Sequence, residues 1–265
     1  MTPRRTRHLL RHFTTATIAA VAALLIALAL TVLPRRVGPL PQVGWDMAVP
    51  DQFRADYFIN ELKQYEAKGG FPNLVIICLP NDHTSGTGKG TPTPAACVAD
   101  NDLAFGRIVE AVSHSVFWKD TCIFAIEDDP QAGFDHVDGH RTVGFCISPY
   151  TRGKGVDSNC YNQTGMVKTI ELILGLPPMN QMDLAATPML GCFHEKPDFT
   201  PYTAVKNRIP LDEMNPAMNR LQGSALKWAR KSVALDFTKE DHADEDTLNR
   251  ILWFSQRGDA PFPGD

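Results

Sequence analysis

No two of the six cysteines stand in a Cys-x-x-Cys pair, and that absence removes zinc-finger and thioredoxin arrangements at the spacing stage. Large net charge is missing too. The formal value is −4 over 265 residues, which excludes the basic footprint of a nucleic-acid binder and leaves no acidic tail. Internal repeats and low-complexity tracts are absent. The glycines from Gly86 to Gly90 do not make a phosphate loop, because Lys89 is followed by Gly90 where the Walker pattern needs Ser or Thr. What is present is ordinary globular material: 43% apolar and 21% charged residues, enough to bury a core. Cys78, Cys122 and Cys146 sit inside apolar runs, so buried free thiols are expected. Cys160 and Cys192 flank a helix, and a disulfide between them is the alternative in an oxidising compartment.

The amino terminus carries a targeting signal. Arg4, Arg5, Arg7 and Arg11 precede an apolar stretch from Ala16 to Leu33, near the roughly 20 residues that span a bilayer. The basic flank places that end in the cytoplasm and exports the rest. Residues 1–36 are therefore either a membrane anchor, holding the chain on the periplasmic side of the inner membrane, or a signal peptide cleaved near Ala27-Leu28-Ala29 to release it. Residues 37–50, with Pro39, Pro41 and no helical period, read as a linker.

From Asp51 the pattern becomes structural. Phe53, Tyr57, Phe58, Leu62 and Tyr65 recur at helical spacing behind a cap at Asp51, and Gly69-Gly70 stops them. Leu74 to Leu79 is a continuous β-branched run, the signature of a strand covered on both faces. Thr93-Pro94 opens a helix with Val98, Phe105, Ile108, Val109 and Val112 inside, and His114 caps its far end. Thr121 to Ile126 and Thr142 to Ile147 read as two further buried strands, followed by a helix through Val167 and Leu174 that ends at Gly175. Such an order predicts a layered, mostly parallel α/β sheet over residues 51–205. Residues 206–265 read as a helical extension. One helix carries Leu226 and Trp228, and a second is launched by the acids from Asp241 to Asp246.

Chemistry concentrates at two loops. Glu127-Asp128-Asp129 follows a strand, with Asp135-His136 and His140 in the same loop, and ligands bind beyond the carboxyl ends of strands in open α/β sheets. Adjacent carboxylates repel, so a divalent cation is the economical partner; zinc, manganese, calcium and magnesium all fit this donor set. A solvated acidic turn is the alternative. Asn81-Asp82-His83 likewise follows the Leu74 to Leu79 run, and an Asp-His pair binds metal or serves a phosphoryl leaving group. Asn162-Gln163-Thr164 matches a glycosylation sequon but carries little weight as a three-residue motif.

Four segments together resemble the bacterial phosphoesterase family of phospholipase C and acid phosphatases within the alkaline-phosphatase superfamily. They are LPNDHTSGT from Leu79, IEDDPQAGFDHVDGHRT from Ile126, SPYTRGKGVDS from Ser148 and TIELILGLPPMNQMD from Thr169. The subgroup most similar is often fused to a YncE-like β-propeller. The resemblance implies an α/β/α sandwich on a mostly parallel sheet, present here as its C-terminal half. It implies metal ligation by Asp128 and Asp129 with Asp82 beside them, and catalytic contacts from His83, His136 and His140. The reaction implied is hydrolysis of a phosphate-ester substrate, with metal and donors stabilising charge on the phosphoryl oxygens. In the family the nucleophilic Ser or Thr and an acidic-plus-Asn metal pair lie upstream of the LPNDHTSGT-like loop. Here only the export segment, a linker and one helix precede that loop. Two expectations follow: a metal-dependent hydrolase that works with an unusual nucleophile or is completed by an N-terminal half on another chain, or a silent remnant that binds metal or phosphate at the envelope.

Overall fold

The computed structural model describes residues 44–127, 141–153, 155–239 and 242–263. The export segment of residues 1–36 lies outside them, and among the described residues no helix is long and apolar enough to cross a membrane.

Helix α1, Asp51–Lys68, begins where Pro50 fixes an extended backbone and ends where Gly69 takes the left-handed conformation at φ 75°, a geometry glycine adopts without steric cost. Helix α2, Pro94–His114, starts as expected: the Thr93 side chain accepts from the Ala96 N–H, and Pro94 needs no donor in the first turn. The two helices pack through Ala55, Phe58, Leu62, Ala104, Ile108 and Val112, with Trp118 closing the cluster. Phe53 and Val98, both expected inside, are about half exposed, at 46% and 49%.

The expected mostly parallel sheet, and with it the partial α/β/α sandwich, is not what forms. The chain is mostly helical, and the described residues contain one sheet of two strands, β1 (Ile123–Ile126) and β2 (Gly144–Ile147). They run antiparallel, with Phe124 opposite Cys146 and Ala125 opposite Phe145. Consecutive strands whose connection simply reverses direction pair antiparallel, whereas a parallel pair needs a crossover that carries the chain back to the starting edge. Leu74 to Leu79 forms no strand and belongs to no sheet among the described residues. Ile76 is 69% exposed and Val75 39%. The β-branched run favours extended backbone, but it cannot supply the two covering layers that its apolar character led us to expect.

Beyond the sheet, helix α3, Gln163–Leu174, is capped by Asn162, whose side chain accepts from the Gly165 N–H at 2.8 Å, and ends at left-handed Gly175. The sequon asparagine is thus a helix cap. A short helix α4, Gln181–Ala185, follows a capping box between Asn180 and Asp183. Met166, Met189, Cys192 and Phe193 form a second core with Phe124, Cys122 and Cys146 on the sheet. Helices α5, Gly223–Val233, and α6, Glu245–Arg257, complete the described chain. Asp244 caps α6, and Glu245 and Asp246 occupy its first turn, where acids favour the helix dipole.

Candidate functional site

Asn81-Asp82-His83 forms a single tight turn of 3₁₀ helix just after the Leu74 to Leu79 run. A buried polar frame fixes it. The Asn81 N–H donates to Asp51 Oδ2 at 3.0 Å, and Asn81 Nδ2 donates to Asp100 Oδ2 at 2.6 Å. Asp100 Oδ2 also accepts from the Asp51 N–H at 2.6 Å. Asn101 Nδ2 donates to Asp51 Oδ2 at 3.2 Å and to the Leu79 carbonyl at 2.7 Å. Asp51 therefore does not cap its own helix, as its position behind Pro50 suggested. Pro50 holds the cap position, and the Asp51 carboxylate reaches across to the turn instead. Arg54 Nη1 lies 3.3 Å from Asp51 Oδ1 and supplies the compensating charge. Burial pushes the Asp51 carboxyl up to about 6, with the neighbouring Asp100 adding to it, while the Asn81 N–H and Arg54 oppose the rise.

Thr84 follows with φ 62°, the one non-glycine residue with positive φ among those described. A β-branched residue is strained in this region, and such strain persists only where surrounding contacts over-determine it. Here Thr84 is buried and its Oγ1 accepts from the Gly86 N–H at 3.1 Å. His83 stands between two aromatic edges, with ring centroids 4.9 Å from Trp45 and 6.1 Å from Phe237. Its Nδ1 lies 3.1 Å from the Thr84 carbonyl. A carbonyl only accepts, so Nδ1 is the donor in this contact and Nε2 faces away from it.

The C-terminal helices grip the rest of this loop. Thr87 N–H donates to Ser232 Oγ of α5 at 2.9 Å. Asn215 Nδ2 donates to the carbonyls of Gly86 and Pro92 at 3.1 and 2.9 Å. A Cβ on Gly86 would fall 2.4 Å from Ser232 Oγ, so glycine is what permits the close approach.

The Leu74 to Leu79 run and β1 leave toward the same end of α2. Phe71, before the run, stacks on Phe117, before β1, at 5.0 Å. At the other end Asn101 of α2 holds the Leu79 carbonyl, and Phe105, one turn along, meets Phe145 at 5.8 Å. Phe145 is the cross-strand partner of Ala125, next to the end of β1.

Of the six residues singled out in the sequence, Asp82 and His83 are described, side by side in the turn. Asp128, Asp129, His136 and His140 lie outside the described residues. Among the described residues no three His, Cys, Asp or Glu side chains are grouped to hold a metal ion. The donor chemistry of His83 nevertheless suits a divalent cation, since a carbonyl-anchored Nδ1–H is the arrangement that orients a ligating Nε2. The sequence reading missed Asp51 as a frame residue, and Asp100 and Asn101 altogether. A signal existed: Ala96, Asp100, Ala104 and Ile108 share one buried helix face at intervals of four, and a carboxylate there demands partners. No family model, curated protein or solved structure matches this chain.

Proposed function

We propose that this protein hydrolyses phosphate esters, with a divalent cation held between the turn that bears Asp82 and His83 and the acidic loop that bears Asp128 and Asp129. The observation that carries the reading is the state of His83. Its Nδ1–H is anchored on the Thr84 carbonyl, at a turn that buried carboxylates and amides hold rigid. A ring fixed through Nδ1 presents Nε2 in one direction, as a ligand or a phosphoryl-contacting group needs. The phosphoesterase-like segments around both loops favour this chemistry, although the parallel sheet that went with the resemblance does not form.

In this reading Asp128 and Asp129 hold the cation, with Asp82 beside them. His83, His136 and His140 contact the cation or the phosphoryl group. The cation would polarise a phosphoryl oxygen, and the buried Asp51–Asn81–Asp100 frame keeps His83 in place. The experiment is turnover of 4-nitrophenyl phosphate and bis-(4-nitrophenyl) phosphate by the full chain with zinc, manganese, calcium or magnesium added singly. Metal-stimulated release of nitrophenolate, lost in Asp128→Ala and reduced at least tenfold in His83→Ala, is the expected result.

A second reading, an envelope-anchored module that binds metal or phosphate without turnover, is favoured by the exposed apolar run at Val75, Ile76 and Ile77. Exposure of that kind suits a chain lacking sheet partners. Metal binding by calorimetry with no nitrophenolate release would select it.

A further inference from the structure

Three of the six cysteines converge beneath the two-stranded sheet, away from the Asn81–His83 turn. Cys122 Sγ and Cys146 Sγ are 4.0 Å apart. Cys122 precedes β1, and Cys146 lies on β2 opposite Phe124, so the two side chains meet diagonally on one sheet face. Cys192 joins them in the same cluster. Thr151 Oγ1 lies 3.9 Å from the Cys146 sulfur, and Cys192 Sγ donates to Asp157 Oδ2 at 3.6 Å. Cys122 and Cys146 are only half-buried, unlike Cys97 and Cys192.

We infer that Cys122 and Cys146 form a dithiol–disulfide couple that is oxidised by exchange with a disulfide-bearing thiol carrier. In the first step the Cys146 thiolate attacks one sulfur of the carrier's disulfide. The carrier's S–S bond breaks, one carrier thiolate leaves and takes a proton, and Cys146 holds the other half as a mixed disulfide. In the second step Cys122 loses its proton and attacks the Cys146 sulfur, releasing the second carrier thiol. Two protein thiols are oxidised and one carrier disulfide is reduced to two thiols.

Cys146 is the sulfur that both the Cys122 thiol and the Thr151 hydroxyl approach, at 4.0 and 3.9 Å, and this assigns it the attacking role. The donors around its sulfur, Cys122 foremost, hold its thiol below the ordinary value against the opposing effect of burial. Burial pushes Cys122 up, and Cys192 up to about 12. Bond formation closes the 4.0 Å gap to about 2.05 Å and draws the two diagonal positions together. The resulting link would tie the two strands at the end opposite their connection, which leaves from Ile126 and enters at Gly144. The couple is independent of the hydrolase reading.

The test uses the full chain in graded mixtures of reduced and oxidised glutathione, quenched by alkylation and read by peptide mass mapping. The expected result is loss of two of the six thiols, recovered as one Cys122–Cys146 peptide and reversed by dithiothreitol. In the double variant Cys122→Ser, Cys192→Ser the exchange stops at a glutathione adduct on Cys146. The inference is overturned if Cys146 stays free while exposed Cys78 and Cys160 take up glutathione, or if the native disulfide joins Cys192 to Cys146 or to Cys160.

Discussion

Asp51 is fully buried with Asp100 beside it, and its carboxyl is raised from 3.8 to about 6. The sign follows from proton linkage. Between these values the folded chain holds more proton than the unfolded chain, so stability from this group is greatest below about pH 3.8 and falls as pH rises toward about 6. Above that it is flat. We expect a descending limb on the order of 1–2 kcal/mol, less than the roughly 3 kcal/mol that the full shift converts to, because the turn relaxes around the charge. Asp51→Asn should flatten that limb, measured by urea denaturation at half-unit steps of pH; an unchanged slope would show that Asp51 is not the titrating group. Nothing local announced this role. Asp51 meets partners 30 and 49 positions away, and a residue read behind Pro50 looks like a cap until the turn is folded against it.

At the scale of elements, the starts and stops were legible because they are local chemistry. Thr93-Pro94, Gly69, Gly175 and the acids before α6 each act within one turn of their own position. Thr93→Ala should therefore cost about 1 kcal/mol, slightly more for the bond its hydroxyl makes to Glu213 Oε1 at 3.0 Å, read as a lower urea midpoint at unchanged slope. Contacts between elements were not legible. Nothing in the local pattern of Gly86 says that α5 arrives 145 residues later to place Ser232 against the loop. Gly86→Ala must tolerate both φ 65° and a Cβ 2.4 Å from Ser232 Oγ. It should destabilise by about 1–3 kcal/mol, with faster amide exchange at Thr87 as the local readout.

The whole molecule presents apolar surface that its two-stranded sheet does not cover. Ile76 at 69%, Val143 at 58% and Phe145 at 47% are exposed, and exposed apolar segments of this kind template association between chains. Ile76→Lys should lower light scattering at matched concentration while leaving the thermal midpoint within about 1–2 °C, since the side chain packs little in the monomer. A large fall in the midpoint would show instead that Ile76 is buried in solution.

The division between sequence and fold follows the range of the forces. Helix ends and turn residues were determined by the sequence alone, because backbone sterics and capping hydrogen bonds reach only a few residues. Whether the Leu74 to Leu79 run would join a sheet, and in which direction β1 and β2 would pair, was decided only in three dimensions, because a strand takes its ladder hydrogen bonds and its cover from elsewhere in the chain. The same holds for the buried acids that frame His83 and for the three clustered thiols. Their chemistry was visible as residue types, but their proximity is a property of packing.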